Sequence, residues 1–466
     1  MSTMETTVNA TPVEKLDFKK ILPVFVIVLI DLLGLTIIIP LMPLYAASFG
    51  ADAFMIGLLG AAYPVMQFVG APFLGRLSDR YGRKPILLIS QVGTFIGFVL
   101  LGLSNSLWLL FLSRIIDGIS GANISTAQAV ITDSTNDKTR TQGLGLLGAA
   151  FGLGFVVGPI IAFVSLTAGG NNYHVPAFVA AAFSALSMLL TWFWLEETLP
   201  ADKRGHGARK AALSFGSMFA ALKRPLVGYL LVLMFAQQIA FGGFEQLLSL
   251  FTLNRLGLNA AGNAVILVFV GIIVVAVQGG LIGVWSRKYG DKWLIHMGLA
   301  ALSIGLILTA LTPAQPAPWY SRAGITAEFA ASQQASAAGH RTPATQAIKV
   351  ALPDDTHRGW LGLIWILIAM VPAAIGGGVL QPAVNSLLTR SVDKSEVGGT
   401  LGVSAAFLSG ANVWAPVFGG ALFQAFGATA PFLAGGALLA VLWVIARRVV
   451  SVVPNAVVPN AVVPNA

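Results

Sequence analysis

Three carboxylates stand within long apolar segments of this sequence, where a charged side chain is costly to place. Asp31, Asp117 and Glu245 each lie in a run of mainly hydrophobic residues. A charge at membrane depth is expensive, so such residues face a wet cavity or a partner. A carboxyl group in that setting can take up a proton from one side and release it after the cavity reopens. These positions therefore predict proton coupling, with Asp31 as the leading carrier.

Each of these residues has an alternative explanation that the sequence leaves open. Asp31 has only apolar neighbours and would otherwise make a structural hydrogen bond to backbone or hydroxyl groups. Asp117 follows Arg114 by three residues, so the two share a helix face and can neutralise each other as a buried pair. Glu245 lies towards one end of its segment, where it would attract cationic substrates, carry a second proton or remain solvated at a rim.

A second group of polar residues in the apolar segments offers hydrogen bonds to a bound molecule. Amide side chains at membrane depth either orient a ligand in a mostly apolar cavity or join one helix to another. Both interpretations stay open at this point. The predicted substrate-cavity residues are Arg114, Gln128, Gln238, Gln381, Asn385 and Asn412.

The composition identifies a polytopic membrane protein. Of its 466 residues, 56% are hydrophobic and 10% are charged, with a mean hydropathy of +0.80. In soluble domains about a quarter of the residues are charged. The predicted fold class is an all-α membrane protein with twelve transmembrane helices, since most apolar segments supply the ~20 residues that a bilayer requires. The predicted segments span approximately residues 21–46, 54–74, 85–104, 107–131, 142–164, 176–195, 225–252, 262–284, 292–313, 359–388, 398–422 and 427–446.

The net charge of +9 follows membrane topology and does not indicate a nucleic-acid site. Most of the 28 Lys and Arg fall on the side that holds both termini. By the positive-inside rule that side is cytoplasmic, and no nucleic-acid partner is expected. The chain has no cysteine, and its five histidines lack metal-ligand spacing, so no metal site is expected.

A basic turn between the second and third segments has a degenerate copy later in the chain. The first copy is Gly75-Arg-Leu-Ser-Asp-Arg-Tyr-Gly-Arg-Lys84, and the second is Gly283-Val-Trp-Ser-Arg-Lys-Tyr-Gly-Asp-Lys292. This repeat predicts two pseudo-symmetric six-helix halves. Asp79 can meet Arg83 or a helix N-terminus and so hold a closed state, but Arg287 replaces it in the second copy, which limits this gate to the first half. The predicted gate residues are Gly75, Asp79, Arg80, Gly82 and Arg83.

The first copy of the turn resembles, without a gap, the loop 2–3 signature of the major facilitator superfamily, whose two halves enclose one cavity. Other stretches resemble the twelve-helix drug:proton antiporters, including the tetracycline-resistance-type exporters. These are Leu29 to Leu35, Ser113 to Ala122 and Gln381 to Asp393. The resemblance covers nearly all of residues 20–448. Segments three and nine lack the acidic residues that tetracycline exporters tend to carry there, so it does not specify tetracycline as the substrate.

The fifth segment carries the helix signature that is typical of the family's antiporters, and this favours export. Its residues are Gly154, Gly158 and Pro159. The glycines permit close approach to a neighbouring helix, and the proline loosens the hydrogen-bond ladder, so this helix can pivot.

The resemblance implies a proton-coupled antiporter that exports small amphipathic molecules or drugs by alternating access. It implies the proton gradient as energy source, no cofactor, a monomer in the bilayer and a bacterial inner membrane as the location. A metabolite uptake symporter or uniporter of the same fold is the first alternative, and a transport-silent receptor or scaffold is the second. No nucleophile–base pair or phosphate loop is visible in the sequence, so an enzyme is not expected.

The chain divides into two predicted helical bundles with shorter flanking parts. The connection between the ninth and tenth segments is rich in Pro, Ala, Gln and Thr and predicts a flexible outer insertion. The predicted parts are a cytoplasmic lead (1–20), a first bundle (21–195), a cytoplasmic linker (196–224), a second bundle (225–446) with its insertion (314–358), and a low-complexity tail (447–466).

Overall fold

The computed structural model describes residues 18–135, 139–204, 220–337, 349–392 and 397–449, whose regular structure is entirely helical. Most of the predicted lead and tail, the middle of the linker and part of the insertion lie outside these residues. The helices are α1 (Phe18–Ile38), α2 (Met42–Ser48), α3 (Ala53–Tyr81), α4 (Arg83–Gly102), α5 (Leu107–Ser120), α6 (Ile124–Asp133), α7 (Arg140–Ala168), α8 (His174–Trp194), α9 (Pro225–Leu256), α10 (Ala260–Ala276), α11 (Ile282–Ala310), α12 (Arg322–Ala337), α13 (Leu361–Arg390), α14 (Val397–Phe426) and α15 (Ala430–Val449).

The apolar helices are long enough for twelve membrane crossings. Eleven helical segments of the described chain have the length and hydropathy to cross a bilayer, and one of them, residues 260–310, is 51 residues long. A bilayer needs only ~20 residues, so this segment crosses twice. The helix direction breaks within it at Gly290, whose φ of 80° and ψ of 162° are not helical.

The two copies of the basic turn have the same backbone conformation. Gly82 has φ 108° and ψ 159° between α3 and α4, and Gly290 repeats this conformation at the equivalent position. A side chain is strained at such positive φ values, which explains why both copies have glycine there. The internal sequence repeat is therefore also a structural repeat.

The membrane ends of the helices form two faces that differ in how closely the halves approach. We call the face that carries residues 75–84 the turn face, and the other the opposite face. At the opposite face, α3 of the first half and α14 of the second touch: a methyl group built on Gly57 would lie 3.2 Å from the Cα of Gly420. The backbone N–H of Ala53 also donates to Gln424 Oε1 at 3.2 Å.

Three glycines near the turn face have no neighbouring group beside them among the described residues. A methyl group built on Gly75 of α3, or on Gly279 and Gly280 beyond α10, would meet no other group of the described chain within 4 Å. The contact between α3 and α14 therefore lies at the opposite face, whereas these three glycines of the turn face have open space beside them.

The insertion is not simply flexible, which corrects the expectation from its composition. It contains α12, a helix whose Ile325, Phe329 and Ser332 are buried. These residues recur at a spacing of four and three, which places them on one side of a helix. The helical period is hidden among many alanines, and the buried side packs on the opposite face of the bundle.

Candidate functional site

Asp31 lies in the middle of α1 and has one hydrogen-bond partner from another helix. The side-chain Nδ2 of Asn123 donates to Asp31 Oδ2 at 3.0 Å. The other oxygen, Oδ1, is buried and has no hydrogen-bond partner in the described chain. Asn123 occupies a 3₁₀ turn between α5 and α6 and was not among the predicted residues. A carboxylate with one free, buried oxygen has room to accept a proton.

Arg114 and Asp117 form a buried ion pair on α5, as the structural alternative predicted. Arg114 Nη1 lies 3.1 Å from Asp117 Oδ2, and both side chains are almost fully buried. The guanidinium also lies 5.7 Å from the ring centroid of Phe98. Its Nε and Nη2 have no hydrogen-bond partner in the described chain. The pair is neutral overall but retains donors for water or a ligand.

Asp31 and Asp117 line the same small cavity. Its volume of about 20 Å³ is enough for a water molecule, and Tyr63, Gln91 and Thr94 add polar groups to its wall. Gln91 Oε1 and Thr94 Oγ1 are buried without hydrogen-bond partners in the described residues. All lining residues come from the first half, so the acidic pair is enclosed within one bundle rather than between the two bundles.

Glu245 lies apart from this cavity, on α9 of the second half. Its side chain is half-buried, and no hydrogen bond or ion pair reaches its carboxylate from the described chain. The adjacent Gln246 packs against helix α3 at Gly60. Glu245 is therefore placed near the boundary between the halves without a cationic partner among the described residues.

The predicted cavity amides divide into paired and unpaired groups. Gln238 Nε2 donates to Asn412 Oδ1 at 2.8 Å, which joins α9 to α14 as interhelical packing predicts. Asn385 Oδ1 is buried and has no hydrogen-bond partner in the part of the chain that is described. Gln128 and Gln381 are exposed. Among these amides, only Asn385 combines burial with an unused hydrogen-bonding group.

The basic turn is held together by Arg83. Its guanidinium contacts Asp79 Oδ1 at 2.5 Å and Asp133 Oδ2 at 3.0 Å, and it donates to Ser78 Oγ at 2.8 Å. Asp79 therefore meets Arg83 within the first half. Arg80, which was also predicted as a gate residue, is exposed.

The start of α4 has a cap that sequence reasoning missed. Glu197, beyond the end of α8, accepts hydrogen bonds from the backbone N–H groups of Arg83 at 2.9 Å and Lys84 at 3.2 Å. A carboxylate at a helix N-terminus satisfies free N–H groups and complements the helix dipole. Glu197 and these two residues are more than a hundred positions apart in the sequence, so local sequence patterns do not indicate the contact.

The second copy of the turn carries the same kind of ion pair with its charges exchanged. Asp291 takes the place of Arg83, and Arg390, the last residue of α13, takes the place of Asp133, the last residue of α6. Arg390 Nε lies 3.5 Å from Asp291 Oδ2, and Ser286 Oγ donates to Oδ1 at 2.7 Å. Each half therefore has its own charged clamp at the turn face.

We expect Arg83→Ala to destabilise the protein strongly because it leaves two carboxylates without their partner. Hydrogen bonds to charged groups contribute about 1.5–3 kcal/mol, and the two carboxylates are partly exposed, so we expect a loss in this range. The measurement is the midpoint of thermal unfolding in detergent. Arg80→Ala is the matched control, since an exposed cation three residues away contributes at most ~0.5 kcal/mol. Equal shifts for the two variants would contradict the assignment of Arg83 as the centre of the turn.

The antiporter-type signature brings α7 close to the helix that carries Asp31. A methyl group built on Gly158 would lie 2.6 Å from the Cβ of Thr36 and 2.9 Å from its carbonyl carbon. One turn earlier, a methyl on Gly154 would make an ordinary contact of 3.6 Å with Leu32. The helix also contains Pro159. The signature thus faces α1 immediately beside Asp31.

Comparisons with known proteins relate the chain to membrane transporters. The family model described as Major Facilitator Superfamily matches residues 24–347. The class B tetracycline resistance protein of Escherichia coli is 34% identical over 279 residues, which are 59% of this chain and 69% of that protein. Multidrug resistance protein 1 of Bacillus subtilis (strain 168) is 26% identical over 397 residues, which are 85% and 87% of the two chains.

A solved structure confirms the predicted fold class. The crystal structure of the human organic anion transporter MFSD10 (TETRAN) matches with a TM-score of 0.62. The match covers 93% of this chain and all of that chain at 21% sequence identity. At this identity the likeness concerns the arrangement of the helices and leaves the transported molecule open.

Proposed function

Because the chain belongs to the major facilitator superfamily, we propose that this membrane transporter is a proton-coupled antiporter that exports small amphipathic molecules. One observation carries the proposal: Asp31 has a buried oxygen without a hydrogen-bond partner in the described chain, in a polar cavity of the first half. A carboxylate at membrane depth with one oxygen that has no hydrogen-bond partner is a strong candidate for a proton site. The relatives named as resistance proteins favour export.

The proposed cycle uses the two faces of the protein. Most of the basic residues lie at the turn face, so we assign it to the cytoplasm. Because α3 and α14 touch at the opposite face, we take the structure to be the state that opens inwards. Substrate enters from that side, while protonation of Asp31 favours the other state. Since the two bundles rock as bodies, a change of charge beside the α1–α7 contact can bias their equilibrium.

The substrate class follows from an apolar membrane cavity with few polar groups. Glu245 offers a carboxylate without a cationic partner in the described residues, which suits a substrate with a positive charge. Asn385 offers an unused amide oxygen. We therefore propose amphipathic cations as the first molecules to test. Tetracycline belongs in the screen because several relatives are named for it, although α4 carries no acidic residue within its span.

Purified protein in proteoliposomes tests the proposal. A thermal-shift screen against drugs and metabolites first identifies a ligand. A proton gradient with an acidic lumen is then imposed on inverted vesicles, and substrate uptake and internal pH are followed together. We expect each substrate to move against a proton. Substrate movement in the same direction as the proton would establish symport, and binding without any flux would establish a receptor.

We expect Asp79→Asn to slow conformational switching while sparing substrate affinity. The substitution removes the charge that Arg83 contacts at 2.5 Å, so the turn is no longer held in its present geometry. Substrate affinity should be spared because Asp79 is far in sequence from Glu245 and Asn385, the groups proposed to bind substrate. The transport rate at saturating substrate should fall about tenfold, which corresponds to 1.4 kcal/mol on the barrier. Equal losses in rate and affinity would show that the turn is not a gate.

The remaining parts of the proposal concern organisation. We propose division of the chain into a first bundle over 21–195 and a second over 225–446, a monomeric transporter, and a bacterial inner membrane with both termini in the cytoplasm. The described helices fit this division, since all lining residues of the Asp31 cavity belong to the first bundle.

A further inference from the structure

The membrane crossing formed by α5 and α6 is interrupted at its middle. A 3₁₀ turn, Gly121–Asn123, separates the two helices, and we call it the Asn123 turn. A 3₁₀ stretch within a helix often marks a functional hinge. Here the turn lies against α1, because Asn123 Nδ2 donates to Asp31 Oδ2 at 3.0 Å. The irregular part of this crossing is therefore the part that contacts the proposed proton carrier.

Side chains from two other helices hold the Asn123 turn in place. Ser90 Oγ of α4 donates to the carbonyl oxygen of Ser120 at 2.8 Å, and Gln67 Nε2 of α3 donates to that of Gly121 at 3.0 Å. A 3₁₀ turn has poorer internal hydrogen-bond geometry than an α-helix, so donors from outside stabilise its carbonyl groups. The turn is thus tied to α3 and α4, while Asn123 reaches α1.

The Asn123 turn also has little room to shift within the bundle. A methyl group built on Gly121 would lie 2.9 Å from Cζ of Tyr63, so the Tyr63 ring already packs against the backbone of the turn. The side chain of Asn123 is buried, so its amide cannot exchange Asp31 for bulk water. The amide donor is therefore presented to Asp31 from a fixed place.

We propose that Asn123 is a positioning residue for Asp31: its amide holds one carboxylate oxygen at the Asn123 turn and leaves the other, Oδ1, to take the proton. Oδ1 is the oxygen that has no hydrogen-bond partner in the described chain. The inference rests on the proposed function, because Asn123 has this task only if Asp31 carries a proton. It deepens that function by naming the residue that sets how tightly the proton is held.

The hydrogen bond favours the charged form of Asp31 but also survives protonation. A carboxylate can only accept, so the nitrogen of the Asn123 amide, and not its oxygen, faces Oδ2. When a proton arrives, the new O–H bond forms at Oδ1, and Oδ2 still accepts from the same N–H. A neutral carboxyl group is a weaker acceptor than a carboxylate, so the contact then weakens. Asn123 therefore favours release of the proton, which a carrier needs as much as uptake.

Few other titratable groups face Asp31 from the surrounding helices. Among the residues that line its cavity, the others that titrate are Asp117 of α5 and Tyr63 of α3. Asp117 is already paired with Arg114 at 3.1 Å, so that pair carries no net charge. Helices α7 and α8, which also pack on α1, each contain one titratable residue, at the first position of the helix. A change at Asn123 should therefore act on Asp31 without altering another charge.

Titration of Asp31 in the membrane tests the assignment. The infrared band of its protonated carboxyl group is followed against pH in protein reconstituted in lipid, without substrate or gradient. The band is identified by its absence from the Asp31→Asn variant. We expect Asn123→Leu, which nearly keeps the side-chain volume but removes the donor, to move the midpoint of this titration upwards by about one pH unit. This shift is equivalent to about tenfold tighter proton binding, or 1.4 kcal/mol.

Two further variants separate positioning from general loosening of the protein. Asn263→Leu is the matched control, because Asn263 is a buried asparagine of the second half whose Nδ2 donates to the carbonyl of Asn259 at 3.0 Å. It removes a comparable hydrogen bond from the other bundle, so the midpoint for Asp31 should not move. Gln67→Leu unties the Asn123 turn from α3 without changing Asn123 or Asp31. Its midpoint should lie between those of the unaltered protein and the Asn123→Leu variant.

The possible results distinguish this inference from the proposed function. An unchanged midpoint in Asn123→Leu would overturn the role of Asn123, and so would equal shifts in Asn123→Leu and Asn263→Leu. If Asn123→Leu does not fold, Asn123→Ala removes the same donor with a smaller side chain and gives the same comparison. The titration needs no transport, so a shifted midpoint in a protein that moves no protons with its substrate would refute the proposed function alone. Proton antiport with an unchanged midpoint would refute only the role of Asn123.

Discussion

Replacing Asp31 by asparagine is expected to abolish substrate-driven proton movement while leaving the protein folded in its membrane. Asparagine has nearly the same shape, and its amide oxygen can still accept from Asn123 Nδ2, which lies 3.0 Å from the native carboxylate. The group that can gain and lose a proton is gone. Removal of a positioned acid or base typically lowers a rate by about 10²–10⁴-fold, so coupled transport should fall to background.

The measurement is pH change inside proteoliposomes on addition of substrate, with binding of the same substrate measured separately. Asp354→Asn is the matched control because that carboxylate is 80% exposed, on the insertion. Its coupled transport should equal that of the unaltered protein. Unimpaired proton movement by the Asp31 variant would rule out this residue as the carrier. Loss of substrate binding together with coupling would place Asp31 in the substrate site.

The membrane class and the main polar positions could be predicted because the bilayer imposes strong local rules. Twenty apolar residues in succession have few alternatives to a spanning helix, and a carboxylate such as Asp31 within them needs a special environment. The pairing of Arg114 with Asp117 also followed from local spacing, because residues three apart share a helix face. The actual ion pair has a distance of 3.1 Å.

Contacts between distant parts of the chain could not be predicted in this way. Asn123 reaches Asp31 only because α1 packs beside the turn between α5 and α6. Glu197 caps α4 from beyond the end of α8. The exchanged pair of Asp291 and Arg390 was visible in principle, since both align with charged residues of the first half, but their signs are reversed. Periodicity and motif matching do not detect such tertiary complementarity.

Composition was misleading for the insertion. A stretch rich in alanine, glutamine and threonine lacks the hydrophobic content of a core, and this predicts flexibility. The helix α12 is ordered by a few residues: Phe329 is buried, and Glu328 finds its donors on Tyr173 and Asn259. These partners belong to two different halves, so the stabilising surface exists only after the bundles have assembled.

Gly158→Ala is the second change for which we expect a large effect. It tests whether the close contact of α7 with α1 is needed. The added methyl would lie 2.6 Å from Thr36 Cβ and 2.9 Å from the Thr36 carbonyl carbon, so backbone would have to move. Overpacking of this kind costs about 1–3 kcal/mol. Thr36 lies five residues from Asp31 on the same helix, so the displacement should also lower coupled transport by tenfold or more, as 1.4 kcal/mol would.

Gly152→Ala on the same helix is the matched control for this prediction. A methyl at Gly152 would meet nothing within 4 Å in the described chain. Alanine stabilises a helix by up to about 1 kcal/mol relative to glycine, so this variant should unfold at the same temperature or higher. Thr36→Ala in the Gly158→Ala background should restore part of the stability, because it removes the hydroxyl and methyl but keeps Cβ. If Gly158→Ala and Gly152→Ala have the same stability and the same coupled transport, the signature affects α7 itself and not its contact with α1. Proton binding at Asp31 would then have to influence the other helices through a different contact.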